Sequence, residues 1–306
     1  MELPFTEWIN QTVEWISAKR IFQEWPECRR VCLERLSVDL PQVVILPFLS
    51  CQAVGGCDAE AIPIVAGWLM LRYAADFLDA VQDGDELPNG VSDPSIAIEY
   101  ANGLIFAAFD SIAAVRDRNT AHRVIALFSQ TAFQASLGHH LSRQRKGMGE
   151  TTLESYWHAT ILKSGSIFRA GLGGGAIAGK AQDKYIKSLG DYGNALGVIR
   201  QVVDDCRDVL DEPDVSAYEV TLPLLMLALR REESIVGLMA SLNSREALSD
   251  AINESNLPEM ITSVLLEWHR RALEGLQILE HNEAVIALEG ILTDFVTTPW
   301  WDLAHE

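Results

Sequence analysis

Apolar residues recur at three- and four-residue spacing almost everywhere along this chain, and that periodicity restricts the fold more than any other feature. It is plain in "AIEYANGLIFAAFDSIAAV" (97–115), "HRVIALFSQTAFQASLGHHL" (122–141) and "TLPLLMLALRREESIVGLMASL" (221–242). Such spacing gathers apolar side chains on one face of an α-helix; the two-residue alternation of strands is scarce. The expectation is an all-α protein of roughly ten helices or more. Breaks fall at "LPNGVSDPS" (87–95), "RKGMGETT" (145–152), "LDEPDVSAY" (210–218) and "NESNLPE" (253–259), which hold the Pro, Gly, Asn and Asp of helix ends. None is long or biased enough to be a linker, and no short-period repeat appears. Residues 1–306 are therefore read as one large helical domain, a bundle whose 48% hydrophobic residues can build a sizeable core.

Charge and cysteine usage narrow the function. The formal net charge is -19, from 43 acidic and 24 basic residues. That field repels nucleic acid and anionic membrane surfaces, so neither is expected as a partner. An anionic substrate remains compatible if cations or local basic groups bridge the like charges. The cysteines at 28, 32, 51, 57 and 206 are odd in number and lack paired zinc spacing, which reads as reduced thiols and a cytoplasmic location. Cys28 and Cys32 share a helix face, as metal ligands or as plain packing. "MELPFTEWINQTVEWISAKR" lacks the long apolar centre of a signal peptide, and the apolar runs near 43–51 and 61–71 are too short or too polar to span a bilayer.

The most informative stretch is "DFLDAVQDGDELPNG" (76–90), which carries Asp76, Asp79, Asp83 and Asp85 with no Arg or Lys. At about 100° per residue, Asp76, Asp79 and Asp83 project from one helix face within about 60° of one another. The preceding "IPIVAGWLMLRYAA" is mostly apolar, so this face is expected to line a cavity, where close carboxylates are costly without a cation. A second cluster, "GVIRQVVDDCRDVLDE" (197–212), spaces Gln201, Asp204, Asp205 and Asp208 in the same way. Two facing helices with such clusters would offer the oxygen ligands that Mg²⁺ takes alongside substrate phosphates. The alternative is two solvated acidic helix faces.

Between the clusters lies "YWHATILKSGSIFRAGLGGGAIAG" (156–179). Lys163 follows Tyr156 by seven residues among apolar and small neighbours, as a half-buried phosphate ligand or as an ordinary surface lysine. The glycines at 171, 173, 174 and 175 have no strand before them, so close helix packing accounts for them better than a nucleotide loop.

These residues, in this order, resemble the trans-isoprenyl diphosphate synthases, the polyprenyl synthetase family, over about residues 43–230. The family's first motif, Asp-Asp-x-x-Asp followed by Arg-Arg-Gly, aligns on "DAVQDGDELPNG": Asp79 and Asp83 take the outer aspartates, Ala80 replaces the second, and Pro88-Asn89 replace the arginines before Gly90. The Tyr-then-Lys-Thr-Gly segment matches Tyr156 and Lys163-Ser164-Gly165. The second motif, Gln-x-x-Asp-Asp-x-x-Asp, is intact at Gln201, Asp204, Asp205 and Asp208, and "VTLPLLMLAL" (220–229) resembles the helix that follows. The resemblance implies a class I isoprenoid synthase fold with a central cavity, in a homodimer. It also implies Mg²⁺, about three ions per site, held by Asp79, Asp83, Asp204 and Asp208 around an allylic prenyl diphosphate. Lys163 would contact the diphosphate, with Gln201 and Asp205 beside it in the catalytic set.

What departs from the family pattern concerns a second diphosphate. Chain-elongating members bind isopentenyl diphosphate in a basic pocket. Their Gly-Lys-x-Arg-Pro stretch falls on "QVVILP" (42–47), where only Pro47 remains. The expected histidine is Arg72, which could compensate as a substrate-binding residue. Pro88, Asn89 and Glu219 stand where basic residues are expected. Burying a dianionic group there would be expensive. The reading that follows is an enzyme that ionises one prenyl diphosphate and then cyclises or quenches the cation, as terpene synthases do, or passes it to another acceptor. The alternatives are a chain-elongating polyprenyl diphosphate synthase and a non-catalytic partner subunit of one.

Overall fold

The computed structural model describes residues 4–38, 41–145, 151–211, 220–242 and 245–297. All regular structure among them is helical, which is the expected all-α class. By packing, the chain divides into two compact units. One is drawn from Met1–Ala132, Arg169–Gly193 and Gly275–Glu289, the other from Phe133–Phe168, Asn194–Glu274 and Gly290–Glu306. Each takes three separate stretches of sequence, so no stretch of linker composition marks a boundary.

In the first unit the Asp58–Asp83 helix packs along the Pro94–Ala113 helix. The first contributes Ile64, Val65, Trp68, Leu69, Tyr73 and Phe77 to the core, and the second Ala97, Ala101, Leu104, Ala108 and Ile112. Each large side chain buried here stabilises the unit by about 1.5–3 kcal/mol. Buried Ser111 accepts from Trp15 Nε1 at 2.8 Å and donates to the Pro63 carbonyl at 2.8 Å, which settles its hydroxyl inside the apolar contact. The Asp58–Asp83 helix ends at Gly84, in the left-handed region at φ 80°, with its N–H donated to the Ala80 carbonyl.

That helix also extends the short apolar run seen in the sequence. By length and composition, Asp58–Asp83 and Pro94–Ala113 are each long and apolar enough to cross a membrane, with mean hydropathy of 1.4 and 1.3. The best window of the first is 72% buried within the protein. Its apolar character therefore serves a core, and its last turns carry Asp76, Asp79 and Asp83.

The glycine run packs as expected. On the Ser166–Ala178 helix, a Cβ at Gly171 would meet the Trp68 ring at 2.7 Å, and one at Gly175 would collide with the Pro47 carbonyl oxygen. Cys28, Cys32 and Cys51 are buried in the same unit. Burial pushes the Cys28 thiol up to about 12, and both Cys28 and Cys32 lie among the core residues.

In the second unit, the Asp183–Asp211 helix from Asn194 onward buries Leu196, Val198, Ile199, Val202, Cys206 and Val209. The periodic stretch at 221–242 is two helices, Leu222–Arg230 and Ile235–Ser241. The charged run between them includes Glu232 at φ 56°, and Ser234 Oγ starts the second helix by accepting from Gly237 N at 3.0 Å.

The two kinds of glycine contact predict different costs. Gly175→Ala presses on backbone that cannot swing aside and should lose about 1–3 kcal/mol. Gly173→Ala meets only the end of the Leu127 side chain, at 3.1 Å, and should lose clearly less. Urea unfolding of both variants checks the order.

Candidate active site

The first aspartate cluster separates into two kinds of residue. Asp76 Oδ2 accepts from Arg35 Nη2 at 2.8 Å and Nε at 3.2 Å, both from the Pro26–Val38 helix. The cation missing from the local sequence is thus supplied from 41 residues upstream, and Asp76 is an ion-paired structural group. Asp79 and Asp83 are half-buried, one turn apart near the end of the same helix. Ala80 between them is buried, consistent with a position turned from the shared face.

The second cluster splits further. Asp204 keeps 45% of its side chain exposed, with Arg207 Nη1 3.7 Å from its Oδ1, and Asp208 is exposed one turn on. Asp205 is 5% exposed. Its Oδ2 accepts from Tyr156 Oη at 2.7 Å and from Leu222 N at 2.9 Å, and its Oδ1 from Gln201 Nε2 at 2.9 Å. Burial pushes the Asp205 carboxyl above its ordinary range, and the Gln201, Leu222 and Tyr156 hydrogen bonds and the Lys163 ammonium pull the other way. Burial and the neighbouring carboxylate push the Tyr156 phenol well above its usual range, so it stays a neutral donor.

Lys163 sits on a π-helical turn, Ile161–Gly165, that continues the Leu153–Thr160 helix. Widened turns of this kind are common at functional sites and invisible to a 3.6-residue period. Glycines clasp it: a Cβ at Gly138 would collide with the Lys163 backbone, and one at Gly197 would lie 2.6 Å from the Ser164 carbonyl oxygen. Ser164 Oγ donates to Gln201 Oε1 at 2.6 Å. Lys163 itself is half-buried.

Arg72 is buried, its guanidinium carbon 5.2 Å from the Tyr73 ring and 5.9 Å from the Trp68 ring. Asn89, in place of an arginine, has φ 59° and donates to Glu34 Oε2 at 3.4 Å, a carboxylate that also accepts from Arg30 at 2.8 Å. Val43, Val44, Ile45 and Leu46 are core residues. Glu219 lies outside the described residues.

Asp79, Asp83 and Arg72 belong to the first unit; Lys163, Gln201, Asp204, Asp205 and Asp208 belong to the second. Among the described residues no three His, Cys, Asp or Glu side chains gather at metal-ligand spacing. The donor chemistry nevertheless suits magnesium: each of two helix segments presents a pair of carboxylates one turn apart, none of the four residues fully buried, as a hard, well-hydrated cation requires. The sequence did not reveal the partners of Asp76 and Asp205, which come from remote stretches; the Ser at 164 was the only local hint of the Gln201 contact.

The described residues thus combine an all-α fold with an intact Gln-x-x-Asp-Asp-x-x-Asp segment and a half-buried lysine. Residues 84–220 match the family described as polyprenyl synthetase. A short chain isoprenyl diphosphate synthase of Methanothermobacter thermautotrophicus is 25% identical over 276 residues, 82% of this chain and 83% of that protein. Component 2 of a heptaprenyl diphosphate synthase of Bacillus subtilis is 24% identical over 257 residues, 78% of this chain and 73% of that protein. Among solved structures, a geranylgeranyl pyrophosphate synthetase from the archaeon Geoglobus acetivorans has a TM-score of 0.83 at 16% identity, covering 96% of this chain and 98% of that one. At that identity the likeness is one of fold. Sequence and fold thus point the same way: this chain is similar to the polyprenyl synthetases. The relatives are named as diphosphate synthases, which favours the chain-elongating alternative over the cyclising or non-extending reading of the sequence.

Because Arg35 and Asp76 are each about one-third exposed, their pairing is worth about 1 kcal/mol at most. Asp76→Asn should lower stability by no more than that and leave turnover within about threefold of wild type. Denaturant unfolding beside a steady-state assay checks both, and loss of turnover would return Asp76 to the metal site.

Proposed function

We propose that this protein is an isoprenyl diphosphate synthase: a prenyltransferase that ionises an allylic prenyl diphosphate and joins the carbocation to isopentenyl diphosphate. The ordered set of Lys163, Gln201, Asp204 and Asp208 on clasped helical segments carries the reading, and likeness to the named diphosphate synthases supports it. Asp79, Asp83, Asp204 and Asp208 would hold Mg²⁺, about three ions as in the family it resembles. When bound, Mg²⁺ neutralises the charge that develops on the departing diphosphate. Lys163 supplies an ammonium to the phosphate oxygens from a half-buried position, where its charge is less screened than on the surface.

A second reading rests on one observation. Where a basic pocket for isopentenyl diphosphate is expected, Val43–Leu46 are core and Asn89 is bonded to Glu34. An enzyme built this way would ionise its substrate without extending it, and would cyclise the cation or pass it to another acceptor. The partners proposed are the allylic substrate and a second copy of this chain. The Bacillus subtilis protein, named as one component of a synthase, motivates a hetero-assembly as the other possibility.

The deciding experiment incubates pure protein and Mg²⁺ with geranyl, farnesyl or geranylgeranyl diphosphate, with and without isopentenyl diphosphate, and analyses products by mass spectrometry. Longer prenyl diphosphates that need isopentenyl diphosphate are the expected result. Diphosphate release and hydrocarbon or alcohol products without it would establish the second reading. No turnover except after mixing with another synthase would make the chain a partner subunit.

Loss of one ligand from each carboxylate pair should be severe. Asp204→Ala and Asp83→Ala are each expected to lower kcat by about 10²-fold or more with the circular dichroism spectrum unchanged. Chelation with EDTA should abolish turnover, and added Mg²⁺ should restore it.

A further inference from the structure

In the second unit, one buried carboxylate holds three stretches of chain together. Asp205 receives Tyr156 Oη from the Leu153–Thr160 helix, Leu222 N from the first residue of the Leu222–Arg230 helix, and Gln201 Nε2 from one turn earlier on its own helix. Gln201 extends the network by accepting from Ser164, the residue after Lys163. The segment that carries the lysine is therefore tied on both sides, at Tyr156 before it and at Ser164 just after it. Its backbone is held between Gly138 and Gly197, where no side chain intervenes to let it slide. Both oxygens of Asp205 are engaged by protein donors, and the residue is 5% exposed where Asp204 and Asp208 on the same helix reach water.

Resting on the function proposed above, we infer that Asp205 is a positioning residue and not a magnesium ligand. Through Tyr156, and through Gln201 and Ser164, it fixes where Lys163 stands relative to Asp204 and Asp208, and through Leu222 N–H it holds the start of the next helix. The family's two adjacent aspartates thus divide their work by burial: Asp204 faces the solvent side, and Asp205 organises the protein side. Tyr156 becomes part of the machinery at a distance, without touching substrate.

The test compares Tyr156→Phe, Asp205→Asn and the double variant. Amide hydrogen exchange on the substrate-free protein reads residues 153–165 and 220–226. Steady-state kinetics read kcat, KM and the half-saturating Mg²⁺ concentration. Both single variants should speed exchange in the 153–165 segment by about tenfold, and Asp205→Asn should also do so at 220–226. Both should lower kcat by about tenfold or more while the half-saturating Mg²⁺ stays within about threefold of wild type. The double variant should be no worse than Asp205→Asn alone, because the two residues act through one contact. A Mg²⁺ requirement raised more than about tenfold by Asp205→Asn alone, with Tyr156→Phe kinetically silent, would overturn the inference. If the wild type turns over no prenyl diphosphate, the proposed function fails on its own. Exchange still decides the network: unchanged protection at 153–165 in Tyr156→Phe would sink it, and lost protection would sustain it. Should Asp205→Asn not fold, the conservative Tyr156→Phe carries the same decision.

Discussion

A carboxylate taken out of water must be matched by donors, and at Asp205 that requirement organises the second unit. An ion of this size costs several kcal/mol to bury even after relaxation. The chain meets the cost with three donors from three places: a phenol, a side-chain amide and a helix-terminal N–H. Each donor brings its own stretch with it. The Leu153–Thr160 helix, the lysine turn and the start of the Leu222–Arg230 helix are thereby held to one point on the Asp183–Asp211 helix. Apolar packing alone tolerates small slips; a hydrogen-bonded carboxylate in a low-dielectric setting does not.

The same residue type at the same spacing meets different fates in this chain. Asp76 is paired with a guanidinium, Asp205 is sunk among neutral donors, Asp79 and Asp83 are half-buried, and Asp204 and Asp208 reach water. Periodicity assigned all of them to helices and to common faces, because a helix face is a local property. It could not separate them, because what distinguishes them is remote: Arg35 lies 41 residues before Asp76, Tyr156 lies 49 residues before Asp205, and Leu222 lies 17 after it. The π-helical turn escaped the sequence for a related reason. A widened turn leaves no mark in composition and is sustained here by glycines on other helices. The helical class, the packing role of the glycine run and the half-buried lysine were legible, since each follows from neighbours in sequence.

Electrostatics place a further demand on any anionic substrate. With a net charge of -19, the average field opposes a diphosphate, so attraction must be local. Several arginines are already engaged with the protein's own acids: Arg30 with Glu34, Arg35 with Asp76, and Arg270 with Glu267 and Glu274. A divalent cation on a carboxylate pair reverses the local sign, and a half-buried lysine nearby adds to it. Under the function proposed above, that combination would let an acidic chain hold a diphosphate.

Most departures from the family pattern fall in one unit, Glu219 lying outside the described residues. Val43–Leu46, Arg72, Ala80, Pro88 and Asn89 all belong to the first unit, while Tyr156, the Lys163-Ser164-Gly165 turn, Gln201 and the three aspartates of the second motif belong to the second. The family match itself begins at residue 84, just past Asp83. In the first unit the replaced positions have taken up structural work: the valines and isoleucine fill the core, Arg72 lies against aromatic rings, and Asn89 fastens a turn to Glu34. Restoring a single basic residue there would therefore remove a packing or hydrogen-bonding contact as well as add a charge. The carboxylate pairs are thus divided between the units, Asp79 and Asp83 in the first and Asp204 and Asp208 in the second, whereas the replaced positions of the first unit are taken up by packing and hydrogen bonding.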